Sequence, residues 1–345
     1  MTVLVTGGAG YIGSHMVWRL LEAGEEVVVL DCLSTGFRWA VPPAARFFLG
    51  DVADEALLQK IFAEYDMEAI IHFAGSAVVP MSIEDPLSYY ENNTGKTRTL
   101  MSAAVKAGIR HFVFSSTAAV YGQQPGDRTV SENAPLRPES PYGQSKLMSE
   151  LMLRDAAAAY DFRYVALRYF NVAGADPEGR AGQSTAGATH LIKVACEAAL
   201  GRRRQVDIYG TDYPTHDGTG VRDYIHVSDL VEAHLMALRH LRDGGRSLVA
   251  NCGYGHGYSV LDVLNMVMRV HGRAFRIHIA PRRPGDMASI VADATLVRRE
   301  LGWAPKYDSL ETIVRSSLDW ELRLAERAAF DAAGLDRIYA APSIR

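Results

Sequence analysis

The sequence predicts an α/β protein: a Rossmann-type, doubly wound parallel sheet carrying a smaller C-terminal α/β lobe. Three observations point there. Short uninterrupted apolar runs alternate with helical patterns through the first half. A glycine-rich turn joins the first run to the first helix. After Asn171 the alternation gives way to a stretch rich in glycine and polar residues. Strands covered on both faces by crossover helices read as such continuous apolar runs.

The elements follow in order. Val3–Thr6 is the first strand, and Tyr11–Ala23 is a helix ended by Gly24. Val27–Leu30 and Arg46–Leu49 are strands, and Ala56–Tyr65 is a helix. The strand Ala69–Phe73 precedes the helix Thr97–Ala107, which stops at Gly108. His111–Ser116, the long helix Tyr142–Ala159 and the strand Tyr164–Tyr169 complete the alternation. Beyond it we read a helix at His190–Leu200, a strand at Val221–His226 and a helix at Ser228–Leu241. A helix at Val260–His271, a strand at Arg276–Ala280 and a turn at Pro281–Pro284 follow. The expected organisation is a dinucleotide-binding domain over residues 1–172, a second lobe over 173–324 and a tail over 325–345, with 219–250 packing back onto the first domain.

Bulk properties exclude several classes. The 345 residues are too many for one ordinary core, and 48% are apolar. Lys+Arg is 36 against 40 Asp+Glu, a net −4, so no basic surplus points to nucleic acid or an anionic membrane. The N-terminus has no basic segment followed by an apolar run, and no stretch of about 18 apolar residues occurs. Cys32, Cys196 and Cys252 lie far apart, which fits a soluble cytoplasmic protein. The 11 histidines have neither H-x-x-x-H nor H-E-x-x-H spacing, so no metal site is expected.

Gly7-Gly8-Ala9-Gly10-Tyr11-Ile12-Gly13 follows a strand and opens a helix. Glycines there permit the turn and let the backbone approach a pyrophosphate, while the helix N-terminus offers free N–H groups. Asp31 ends the second strand, where a carboxylate holds ribose hydroxyls and repels a 2′-phosphate. This favours NAD over NADP. Packing alone is the competing explanation of the glycines. Asp51, Ser115, Ser116, Thr117 and Asn171 also sit at strand ends, on the side where open parallel sheets bind ligands.

Ser140-Pro141 starts a helix, with Ser as cap and Pro at its first position. Tyr142 and Lys146 then share one face at i and i+4. A tyrosine normally ionises near pKa ~10. A neighbouring ammonium and the helix N-terminus are expected to lower that value and make Tyr142 a base for an alcohol. Thr117 is placed to relay a hydrogen bond. A Tyr–Lys pair at this spacing is also common on helix surfaces; the glycine loop upstream favours chemistry.

Longer stretches carry a resemblance. Thr6–His15, Ile71–Gly75, Phe114–Gly122, Ser140–Lys146, Leu167–Asn171, Asp212–Thr215, Asp217–Val227 and Ala280–Asp286 are similar to the UDP-glucose 4-epimerase family of extended short-chain dehydrogenases. The likeness spans about residues 1–320. The resemblance implies bound NAD and a UDP-sugar whose C4 gives up a hydride while Tyr142 takes the hydroxyl proton. It implies Thr117 and Lys146 as the other catalytic residues. Further cofactor contacts are implied at Gly7, Gly10, Tyr11, Ile12, Gly13, Asp31, Asp51, Val52, Phe73, Ala74, Asn92, Ser115 and Tyr169. Substrate contacts are implied at Asn171, Tyr209, Arg222, Arg283, Asp286 and Ile290, the two arginines gripping the diphosphate. A homodimer through Thr97–Ala107 and Tyr142–Ala159 is implied as well.

Three positions depart from the family pattern. Ala77 stands where a lysine is common, His190 replaces an asparagine, and Ile290 replaces a tyrosine that limits pocket size. A UDP-N-acetylhexosamine, pentose or uronate is therefore an alternative substrate. A dehydratase or decarboxylase of the same fold is a weaker reading. Dehydration wants carboxyl groups just after the fifth strand, where this chain reads Thr117-Ala118-Ala119. A non-enzymatic NAD-sensing protein is weaker again, because Tyr142 and Lys146 are both present.

Overall fold

A computed structural model describes residues 2–124, 129–283 and 286–332. Pro284, the end of the expected turn, and the last 13 tail residues lie outside the described residues. The strands are β1 Thr2–Thr6, β2 Glu26–Asp31, β3 Arg46–Leu49, β4 Met67–His72, β5 His111–Thr117, β6 Arg163–Tyr169, β7 Asn171–Ala173, β8 Val206–Tyr209, β9 Val221–Arg222, β10 Tyr224–His226, β11 Leu248–Cys252, β12 Tyr258–Ser259, β13 Ile277–Ala280 and β14 Ser289–Ile290. The helices are α1 Tyr11–Glu22, α2 Glu55–Glu64, α3 Val79–Glu84, α4 Pro86–Tyr89, α5 Lys96–Lys106, α6 Pro141–Ala159, α7 Leu191–Ala199, α8 Val227–Arg242, α9 Val260–His271, α10 Thr295–Leu301 and α11 Leu310–Ala332.

Seven strands form one parallel sheet in the order β11-β6-β5-β4-β1-β2-β3. Alternation along β1 shows how it is covered. Val3 and Val5 pack with Met16 and Leu20 of α1 and Leu230 of α8. Leu4 packs on the other face with Leu58 and Ile61 of α2, Leu100 of α5 and Leu153 of α6. Successive strand side chains point to opposite faces, so a two-sided core requires every residue of β1 to be buried, and each is. The reversal of strand order between β1 and β4 opens a crevice at the carboxyl ends of these strands.

β11 joins this sheet on the outer side of β6, although it comes from far down the chain. The smaller sheets are β10–β7, β12–β9–β14 and β13–β8. The expected single strand Val221–His226 is instead two. β9 pairs with β12 and β14, while β10 pairs with β7. The break falls at Asp223. Its side chain is fully buried and accepts from the Tyr254, Gly255 and Ala292 amides, and its carbonyl accepts from Asn171. These bonds turn the chain from one sheet into the next. α11 runs from Leu310 to Ala332, across the expected boundary at residue 324. Among the described residues, no helix is long and apolar enough to cross a membrane.

Candidate active site

β1 delivers the chain into the glycine loop. Gly7 has φ +70°, and a Cβ there would stand 2.6 Å from the Ala74 backbone nitrogen. A Cβ on Gly13 would stand 2.1 Å from the Gly7 carbonyl oxygen. No other residue fits at these two points, so the loop lies flat against β4 and α1 starts directly beneath it. Gly10 caps α1 without a side chain, and the first turn of Tyr11, Ile12 and Gly13 carries no acid. The helix N-terminus is therefore left for an external anion, as a dinucleotide pyrophosphate requires.

Asp31 is buried at the end of β2. One carboxylate oxygen accepts from the Ala9 amide at 2.9 Å and the other from the Leu33 amide at 2.7 Å. Each oxygen retains a lone pair that a ribose hydroxyl can use. Asp51 accepts from Ala53 and from Lys96, whose ammonium lies 2.5 Å away. Partial burial works against its charge, but these two partners hold its carboxyl below the usual range. Val52, beside it, is buried. Phe73 donates its amide to Thr6 and packs against the His234 ring.

Tyr142 sits in the first turn of α6, where the Ser140 hydroxyl accepts from the Gly143 amide at 3.2 Å and Pro141 follows the cap. Tyr142 and Lys146 are both buried, and Thr117 at the end of β5 faces the Tyr142 phenol. Lys146 donates to the Ser115 carbonyl at 2.9 Å and lies 4.8 Å over the Phe114 ring. The Ser115 and Tyr169 hydroxyls are hydrogen-bonded to each other.

The expectation that the protein alone lowers the Tyr142 pKa is overturned. Burial raises it above the usual tyrosine value, Thr117 opposes the rise, and Tyr89 adds to it. Burial also pushes Lys146 down to about 8, against the pull of Glu150. Desolvation of the buried phenol is the largest cause of the rise, and Lys146 is turned toward the Ser115 carbonyl.

Two features escaped sequence reading. Asn93, next to the expected Asn92, is buried in a π-helical turn over Tyr90–Gly95. Its side chain accepts from the Ser76 amide at 2.7 Å and donates to the Ser76 carbonyl and the Ser145 hydroxyl, each at 3.0 Å. It ties the loop after β4 to α6, one turn from Tyr142. Asn92 itself donates to the Ser76 hydroxyl. The second feature is a buried ion pair behind Lys146. Arg168 meets Glu150 in a two-pronged contact at 2.9 and 2.6 Å and also reaches the Tyr121 hydroxyl. The Asn-Asn pair is the one sequence signal for the first; the second joins two elements and leaves none.

Several of the expected substrate contacts lie in a more open region. Asn171 begins β7 and lines a cleft of about 460 Å³ with Tyr11, His190, Lys193 and Trp320. His190 caps α7 without a side-chain bond. Arg283 lies 4.3 Å over the Tyr209 ring and donates to Asp286 at 2.9 Å. Arg222 donates to the Val221 carbonyl at 2.8 Å. Ile290 is paired with Arg222 and buried among Ala118, Val120, Tyr121 and Phe170. The structure thus gathers Tyr142, Thr117, Lys146, Ser115 and Tyr169 at one place and Tyr209, Arg283 and Asp286 at another. Ile290 touches the segment just after Thr117, and Ala77 is exposed in the loop after β4.

The sequence model of the NAD dependent epimerase/dehydratase family matches residues 3–253. A protein of Azospirillum brasilense named UDP-glucose 4-epimerase is 55% identical over 94% of this chain and 93% of its own. The crystal structure of UDP-glucose 4-epimerase from Brucella ovis in complex with NAD superposes with a TM-score of 0.89 at 43% identity, over 92% of this chain and 97% of that one. The Bifidobacterium longum enzyme in complex with NAD+ and UDP gives 0.89 at 39% identity, over 94% and 98%.

Proposed function

The chain belongs to the NAD dependent epimerase/dehydratase family, and from that membership we propose how its residues carry out 4-epimerisation of a UDP-hexose. The activity is that of an NAD-dependent isomerase interconverting UDP-glucose and UDP-galactose. The observation that carries the assignment of roles is the buried Tyr142 phenol, faced by Thr117 and one helical turn from Lys146.

The glycine loop and the N-terminus of α1 would hold the pyrophosphate of NAD, Asp31 the adenosine ribose, and Lys146 with Ser115 and Tyr169 the nicotinamide end. When bound, NAD would supply a hydride acceptor and donor for C4. Tyr142 accepts the proton of the sugar 4-hydroxyl and returns it to the oxygen of the epimer. Thr117 orients that hydroxyl. Lys146, fixed by the Ser115 carbonyl, balances the phenolate charge that burial otherwise disfavours. Arg222 and Arg283 hold the diphosphate, since a planar guanidinium suits phosphate oxygens. Gripping the nucleotide firmly and the hexose loosely lets either face of C4 turn toward the hydride. Net redox is zero, so the cofactor need not leave.

Ala118–Val120 forms a single 3-10 turn after Thr117 with no carboxyl group, which supports epimerisation over dehydration. Exposed Met148 and Leu151 on α6 support a homodimer through this helix, and three free cysteines suit a reducing cytoplasm. The test is to load purified protein with NAD and supply UDP-galactose. Conversion to UDP-glucose without net NADH is expected; no conversion in NAD-replete protein would sink the reading. UDP-N-acetylgalactosamine and UDP-arabinose on the same preparation define the role of Ile290 and His190.

A further inference from the structure

We propose that Trp39, Ser184 and Trp320 form a clasp between the two lobes that closes over the glycine loop and sets how slowly NAD leaves. The segment after β2 is pressed onto that loop. Phe37 donates its amide to the Ala9 carbonyl at 3.0 Å, and a Cβ on Gly36 would stand 2.7 Å from the Ala9 carbonyl carbon. The next residues form a one-turn helix, Arg38–Ala40, that presents Trp39 outward from the sheet domain.

Trp39 does not end in solvent. Its ring lies 6.2 Å from that of Trp320 on α11, at an interplanar angle of 30°. Phe37 packs against it at 5.2 Å, and the Arg327 guanidinium lies 4.1 Å over it. Trp320 in turn holds the strap 182–185, which belongs to the second lobe. Its indole N–H donates to the Ser184 hydroxyl at 3.2 Å. Gly182 lies so flat on the indole that a Cβ would come within 2.3 Å of the ring. The Thr185 hydroxyl closes the circuit by donating to the Thr35 carbonyl at 3.4 Å.

The strap therefore spans the face of the loop where the free N–H groups of α1 emerge. The space left beneath it is a cavity of about 190 Å³, walled by Gly10, Tyr11 and Ser14 on one side and Thr35 and Thr185 on the other. A dinucleotide passes only when the strap and Trp39 part.

The inference rests on NAD binding at the glycine loop. The test uses holoprotein and follows replacement of bound NAD by the fluorescent analogue etheno-NAD. Trp39→Ala should speed exchange about tenfold, from loss of the aromatic stack and the cation–π contact. Trp39→Phe, which keeps a ring in place, should restore most of the slow exchange. Ser184→Ala should speed it about threefold through loss of one hydrogen bond. Rates for Trp39→Ala and Ser184→Ala within about twofold of the parent would overturn the clasp alone. A parent protein that takes up no NAD would overturn the site reading and the clasp together.

Discussion

The proposed catalytic wall and the proposed anion clamp are built on opposite plans. Tyr142, Lys146, Ser115 and Thr117 are buried, and their supports are main-chain groups of β5 and the first turns of α6. The arginines of the clamp lie in loops and short strands, half open to solvent, and each is engaged by a neighbour. Arg283 is paired with Asp286 and stacked on Tyr209, and Arg222 donates to the Val221 carbonyl. Proton transfer needs a fixed, dry geometry, which burial in a sheet crevice gives. A clamp that must admit and release a charged nucleotide is better stored in self-neutralised form, with a carboxylate that the incoming diphosphate displaces.

That contrast orders the expected effects of substitution. Tyr142→Phe should lower turnover by about 10²–10⁴-fold while bound NAD, read by absorbance of the denatured extract, stays at the parental amount. An active Phe variant would remove the wall's central member. Arg283→Leu should raise KM for the UDP-sugar roughly ten- to a hundredfold with little change in kcat. An unchanged KM would mean that Arg283 never leaves Asp286, and the clamp would have to be sought elsewhere. Asp31→Ala should cut the preference for NAD over NADP about tenfold in binding titrations, and an unaltered preference would dismiss it as ribose ligand.

The smallest expected effect is on stability. Lys146 titrates at about 8 in the folded protein against a usual 10.5. Between those values the unfolded chain holds more protons, so stability of the NAD-free protein should rise with pH across that window. The full penalty for burying the ammonium applies below it. Chemical denaturation at several pH values measures the slope, and Lys146→Met should flatten it. A wild-type slope that matches the variant's would show the lysine to be less buried than it stands here.

Legibility in the sequence followed the same division. The first six strands of the sheet were readable because they are short, largely apolar runs between helical patterns, down to Arg46–Leu49 as β3, whereas β11 and the short helices α3 and α4 were not read. Tyr142 and Lys146 were readable because four residues of α-helix put them on one face. The sign of the Tyr142 shift was not, since i,i+4 spacing says nothing of desolvation or of the Ser115 carbonyl that captures the lysine. Asn93 was missed because a π-helical turn has no apolar period to read. The short strands β8, β9, β12 and β14 have two to four residues each, too few for any alternation to emerge. Their partners are distant in the chain, so only the folded topology reveals them.

The placement of β11 has a consequence for synthesis. The strand that covers the outer edge of β6 is residues 248–252. A growing chain that has just released Tyr169 from the ribosome owns six of the seven strands, with one flank of the sheet bare. Another eighty or so residues must emerge before that flank is sealed. An apolar strand with an unpaired edge is a template for pairing with another nascent copy. Ribosome-bound intermediates arrested between β6 and β11 should therefore be the species most dependent on chaperones, and a stop in translation there more damaging than one after Cys252.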